Sequence, residues 1–392
     1  MIYIFIFLLL LFLSFRYDIC GRKRGRDFWY YTIMVLLILI AGLRWRVGTD
    51  TIGYLDSFYY KVPKIDHIDF NYLDIKYPLW RLLNSIVYTV FGKFYVLQLI
   101  EASFVLFLVF KYIKKHSFYL FTSILLFYIW MYISITMETM KAGMSIAVCL
   151  FANDYLVEKK LVKGSLLYLV GCLFHFSTWL LFLVVPIIIH LKFDKVQIRT
   201  LLIFFLLGFV FKSVVGDNIA LLDFDDSIYE KAEQYRQSDR LTGGMGIFSS
   251  LLQVIPILLY SMISLEYLKK NKCKVRYEKM GPLITIGIIF LVLQMNVYIF
   301  YRYAHFFSVY IIIIISNAAI IYLKKARHEQ GVLLRYILIL APLIIVLSLN
   351  RVKTYYRYYP YYSIIERKVD EKREMKQSEY HQYRDIPRKN NY

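Results

Sequence analysis

The chain alternates between uncharged apolar runs and short blocks rich in lysine and arginine. Runs such as YTIMVLLILIAGL (31–43), LLIFFLLGFVF (201–211) and VYIIIIISNAAIIYL (309–323) contain no charged residue. A bilayer core takes roughly 17–25 apolar residues per helix, so such runs predict membrane spans rather than buried helices of a soluble protein. Spans are predicted over 1–15, 28–43, 94–110, 117–136, 139–157, 200–215, 247–268, 280–300, 304–323 and 331–349. The N-terminal run MIYIFIFLLLLFLSF lacks a basic segment before it and a small-residue cleavage site after it, and is read as a retained first span.

Two stretches break the pattern. SLLYLVGCLFHFSTWLLFLVVPIIIH (165–190) has basic loops on both sides but length for only one ordinary span. Two half-length helices meeting near His175, as a broken or re-entrant pair, reconcile charge with length. Such breaks persist where protein or a water-filled cavity satisfies the backbone. YPLWRLLNSIVYTVFG (77–92) is too short to span and carries Arg81 and Asn84. It reads as an amphipathic helix on the outer surface. The expected architecture is an all-α, polytopic transmembrane bundle of about 10 full spans plus the broken pair. A single membrane domain covers 1–350, and a polar tail covers 351–392.

Composition agrees: 59% of the 392 residues are hydrophobic, above the roughly 45–50% of soluble domains. The formal charge of +20 does not indicate nucleic-acid binding, because the basic residues fall between apolar runs as cytoplasmic loops require. By that rule 16–27, 111–116, 157–164, 191–199, 269–279 and 324–330 face the cytoplasm. The stretch 44–78 balances five basic against five acidic residues, and 216–246 holds seven acidic against three basic. Both are expected outside. The tail is outside by parity, although its basic excess runs against the rule. Cys20, Cys149, Cys172 and Cys273 show no paired or metal-type spacing and indicate no function.

Charge within or beside a span is costly, so these positions are the first candidates for function. GLRWRVGTDTIGY (42–54) places Arg44, Arg46 and Asp50 at the outer end of the second span. Glu138 and Lys141 lie at the turn between the fourth and fifth spans, His175 at the hairpin tip, and Arg302 with His305 in FYRYAHFF. All fall on one side of the predicted topology. Structural alternatives exist for each: snorkelling for the arginines, a helix-face ion pair for Glu138 and Lys141, a satisfied interior imidazole for His175, an interfacial anchor for Arg302. Arginine's planar fork binds phosphate oxygens, and a carboxylate or imidazole beside it can take a proton from an attacking hydroxyl. That is equipment for glycosyl transfer from a polyprenyl diphosphate sugar, with the cations in place of a metal.

The motifs also carry a resemblance. AGLRWRVGTDTIGY resembles the arginine–Gly-Thr-Asp–Tyr signature of the EpsG family of bacterial exopolysaccharide-assembly membrane proteins, related to Wzy-type polymerases. Arg44, Gly48, Thr49, Asp50 and Tyr54 match it. KYPLWRLLNSI (76–86), the stretch from METMKAG to the Phe-His turn and on to Pro186 (137–187), and YRYAHFF follow in the family's order. One departure stands at the start of the middle helix, where the family usually has arginine-glutamine after an asparagine. Here Glu138, Lys141 and Ala142 occupy that region, and lysine lacks the bidentate fork.

The resemblance implies a GT-C-like fold and an outward-facing polymerase in the bacterial cytoplasmic membrane. It would extend a chain on undecaprenyl diphosphate, with inversion and without metal or other cofactor. Arg44, Arg46, Lys141 and Arg302 would bind the diphosphate, and Asp50 or His175 would be the base. Gly48, Thr49, Tyr54 and Glu138 would support them, and 216–246 with TGGMG (242–246) would form a lid. Membrane lipid, a chain-length regulator and a flippase are the expected partners. A flippase or exporter of lipid-linked sugars would want charge through the midplane, and an acyltransferase a histidine reachable from the cytoplasm. Sugar identity, linkage, growth direction and oligomeric state leave no mark on the residues.

Overall fold

The computed structural model describes residues 2–48, 50–73, 76–190, 198–218, 250–270, 280–325, 331–352 and 355–374. The chain is an all-α bundle. Its principal helices are α1 Ile2–Leu13, α2 Arg26–Gly42, α3 Thr51–Tyr60, α4 Pro78–Phe91, α5 Phe94–His116, α6 Leu120–Phe127, α7 Met140–Val157, α8 Leu161–Phe174, α9 Thr178–His190, α10 Ile198–Asn218, α11 Ile255–Lys270, α12 Gly281–Asn296, α13 Tyr301–Lys325 and α14 Val332–Val352. Among the described residues, five helical stretches are long and apolar enough to cross a membrane.

The predicted break is present: α8 ends at Phe174, α9 begins at Thr178, and His175 is the extended residue between them. At 1.5 Å per residue, each arm is about 20 Å long, short of a bilayer core of about 30 Å. α4 is also as expected, with Pro78 in its first turn and Trp80, Asn84 and Val87 buried along one face. The first helix runs further than its apolar stretch: a wide-turned π-segment carries it to Ile19. There Asp18, read as part of a loop, is buried and accepts from the Thr122 amide at 2.6 Å and its hydroxyl at 2.9 Å.

Small residues set the tightest packing. A Cβ added at Gly171 of α8 would lie 2.9 Å from Cys149 Sγ of α7, and one at Gly164 would lie 2.6 Å from the Leu156 side chain. Without a hydrophobic drive between helices in lipid, such close approach is a main source of cohesion. Polar bonds add to it. Tyr168 of α8 donates to Asn153 Oδ1 of α7 at 2.5 Å, and Asn153 Nδ2 donates to the Tyr310 hydroxyl of α13 at 3.0 Å.

The charged groups sort to opposite ends of the bundle. At one end Lys114 pairs with Asp27 at 3.0 Å, and Asp154 gathers Tyr112 at 2.8 Å, Lys115 at 2.7 Å and His116 at 2.8 Å. At the other end lie the termini of α2 and α8, the start of α7 and α13, and part of the C-terminal tail. The proposed lid is almost wholly outside the described residues, as are Cys273 and Thr49.

Candidate functional site

The turn after α2 is built around Arg44. The side chain is 1% exposed. Its Nε donates to Val47 O at 3.2 Å, one Nη donates to Ala41 O, and the other donates to Met137 O at 3.4 Å. The Thr51 hydroxyl adds a bond to Val47 O at 2.7 Å and one to Met137 O at 3.3 Å. Arg44 therefore fastens its own turn to the end of the fourth span and offers no open fork to a ligand in this conformation. Gly48 is required here. Its φ is +106°, and an added Cβ would fall 2.7 Å from Met137 O.

The tail closes the same turn. Arg44 and Ser363 form an isolated antiparallel bridge, flanked by Trp45 N–H to Tyr362 O at 2.8 Å and Ile364 N–H to Leu43 O at 2.9 Å. Gly48 N–H donates to Arg357 O at 3.0 Å. Arg46 pairs with Glu374, and Arg373, 3% exposed, donates to the carbonyls of Arg46, Tyr356 and Pro360. Glu138 accepts from the Tyr358 hydroxyl and lies 3.9 Å from an Arg357 nitrogen. The tail thus sits at the same end of the bundle as Arg44.

Lys141 faces elsewhere. Between Phe127 and Thr139 the fourth span is wound in π-turns, Tyr128–Tyr132 and Ser134–Glu138, before α7 starts at Met140. Wide turns of this kind recur at functional sites because they re-aim side chains. Lys141, in the first turn of α7, holds its Nζ 3.9 Å from the Tyr77 ring centroid and 5.6 Å from that of Tyr54. Tyr54 meets Trp80 edge to face at 5.6 Å. His175 also neighbours Tyr77, with ring centroids 6.0 Å apart. The cations whose charge reaches His175 are Lys141 and Arg302. His175 Nδ1 is buried and has no hydrogen-bond partner among the described residues.

Asp50 precedes the first residue of α3, and its carbonyl accepts from Tyr54 N–H at 3.0 Å. Burial, and after it the Asp50 carboxylate, raise the pKa of the Tyr54 hydroxyl well above its ordinary value, leaving a neutral donor. Among the described residues no three His, Cys, Asp or Glu side chains gather in metal-ligand fashion.

The sequence-predicted residues therefore form two adjoining groups. Tyr54, Lys141 and His175 converge, with Asp50 and Arg302 acting on them electrostatically. Arg44, Arg46, Gly48 and Glu138 form the wall behind, bound to backbone and tail. Tyr77 and Trp80 are additional members, carried by the segment that opens α4. A further residue is Glu101 of α5, fully buried, with no hydrogen-bond partner for either carboxylate oxygen among the described residues. Its signal was present in the sequence as a lone acid inside the apolar run FYVLQLIEASFVLFLVF (94–110).

No curated protein and no solved structure matches the chain. The EpsG family profile matches residues 27–363, which takes in every element of the site and the tail as far as Ser363. This multi-pass membrane protein belongs to the EpsG family, which is associated with exopolysaccharide assembly.

Proposed function

We propose that the protein is a surface-polysaccharide polymerase that joins undecaprenyl-diphosphate-linked repeat units at the outer face of the bacterial cytoplasmic membrane. The observation that carries this reading is the convergence of Lys141, Tyr54, Tyr77 and His175. Two cations at a membrane-level break in the helices supply the counter-charge a departing diphosphate needs. Tyrosine and tryptophan beside them offer the apolar faces and hydroxyl donors that sugars pair with.

In this scheme an acceptor hydroxyl attacks the anomeric carbon from the face opposite the diphosphate. The new C–O bond forms as the bond to the phosphate oxygen breaks, inverting the centre. The hydroxyl proton passes to His175, whose Nδ1 has no hydrogen-bond partner among the described residues, once the bound diphosphate offsets the Lys141 and Arg302 charges that disfavour a protonated imidazole. Asp50, beside Tyr54, is the alternative acceptor. The leaving diphosphate is held by Lys141 and Arg302, while Arg44 and Arg46 keep the supporting wall in place. No step calls on a metal ion. A flippase supplying the repeat units and a chain-length regulator are the partners that fit this reaction.

The test is the length profile of surface polysaccharide in cells carrying wild-type protein, no protein, or His175→Ala, Lys141→Met and Arg302→Gln variants. Loss of long chains, with single repeat units remaining on the outside, supports the polymerase. Accumulation of lipid-linked repeat units on the cytoplasmic side would instead identify an exporter, and full-length polymer lacking acyl groups an acyltransferase.

A further inference from the structure

Arg46 stands in the left-handed region, with φ +52°. That conformation is costly for any residue but glycine, and it persists only where the surroundings over-determine it. Here two consecutive tail residues hold it. Arg373 donates from one Nη to the Arg46 carbonyl at 3.3 Å, and Glu374 pairs with the Arg46 side chain. One residue is thus gripped by its backbone and its side chain at once. Arg44 and Arg373 are the two buried arginines among the described residues, and they divide the turn between them. Arg373 takes the carbonyl of Arg46, and Arg44 takes that of Val47. The tail aims Arg373 by its own local structure. Asp370 caps the short helical turn at 371–374: its carboxylate accepts from Arg373 N–H at 2.9 Å, and its carbonyl from Glu374 N–H at 3.0 Å. Both gripping residues lie past Ser363, where the family match ends.

We infer that Arg373 is a positioning residue: with Glu374 it holds Arg46 in the left-handed conformation and so fixes the turn that leads through Gly48 into α3, which brings Tyr54 to Lys141. Its part in the reaction rests on the polymerase reading. The remaining Arg373 donors go to Tyr356 O at 3.3 Å and to Pro360 O, so one planar fork ties the turn to two points of the tail. Lysine keeps the charge but lacks that fork. The same tail segment also holds Glu138, three residues before Lys141, through Tyr358 and Arg357. Both segments that meet at the Lys141–Tyr54 contact are therefore tied to one strap.

Glycine at position 46 adopts a positive φ without steric cost, which gives the test its specificity. Thermal melting of the purified full-length protein in detergent is compared for wild type, Arg373→Gln, Arg46→Gly and the double variant. Arg373→Gln is expected to shift melting downward. In the Arg46→Gly background the same change should shift it clearly less, a departure from additivity. In cells, at matched protein level, Arg373→Gln should shorten the polysaccharide, and adding Arg46→Gly should restore part of its length. A general packing defect would be deepened by a glycine, so this relief separates positioning from bulk stability. Should Arg373→Gln fail to accumulate, Arg373→Lys takes its place in the same cycle. Equal melting shifts in both backgrounds, or an Arg373→Gln protein that melts and polymerises like wild type, would overturn the inference. Longer polysaccharide from Arg373→Gln would overturn it too, by making the tail an inhibitory cover. Were deletion of the whole protein to leave the polysaccharide unchanged, the polymerase reading would fall, and the melting cycle would still decide the grip on Arg46.

Discussion

The Lys141 ammonium lies 3.9 Å from the centre of the Tyr77 ring, joining the start of a spanning helix to the entrance of the amphipathic helix. At that distance the ring holds the cation without neutralising it. Such contacts contribute about 0.5–2 kcal/mol depending on exposure. The cation is thus held against the ring at the start of α7.

Replacement at these two positions should separate charge from ring. Lys141→Arg is expected to keep long chains, since both the charge and the stacking survive. Lys141→Met should lose them. Tyr77→Phe should preserve chain length, and Tyr77→Leu should reduce it, because the π-face matters here more than the hydroxyl. Electrophoretic chain-length profiles at matched protein level give the answer; equal profiles for Phe and Leu would remove the ring from the argument.

Gly48 offers a test of the turn itself. Alanine there must take φ +106° and also press against the Met137 carbonyl. The expected loss is about 1–3 kcal/mol, in the range of strained backbone positions. Gly331 has a similar φ of +99° with nothing within 4 Å of an added Cβ, so Gly331→Ala should cost less. Melting curves in detergent compare the two, and an equal drop would show that the contact with Met137 contributes nothing.

Orientation is open to direct measurement. Ile65 and Val162 are both exposed, at 49% and 75%, and belong to opposite ends of the charge pattern. In a background with Cys20 and Cys273 changed to serine, cysteine at 65 should react with an impermeant maleimide in intact cells. Cysteine at 162 should react only after permeabilisation. The reverse pattern would turn the protein over and place Lys141 and His175 at the cytoplasmic face.

Much of this arrangement is legible in the residues alone, for a physical reason. Lipid imposes length and charge rules strong enough to be read locally, so the all-α bundle of apolar helices, the amphipathic helix at 78–91 and the break at His175 follow from counting, while only five of the ten expected full spans reach spanning length and hydropathy among the described residues. The extension of the first helix to Ile19 does not, because it depends on Thr122, far away in sequence, satisfying Asp18. Glu101 was hidden by its surroundings: one acid scarcely lowers the hydropathy of a long greasy run. The fate of Arg44 and Arg46 was illegible for another reason. Local sequence says that an arginine is present, but whether its donors face a ligand or a carbonyl is decided by tertiary partners such as Met137 and Glu374.

The bridge between Arg44 and Ser363 also has a temporal meaning. A ribosome makes residues 355–374 long after it has released the first two helices into the bilayer. The turn that follows the second helix must therefore wait, half-finished, until nearly all later helices have been inserted. A truncated product that stops before that stretch would hold most of its helices yet lack the backbone partners of this turn.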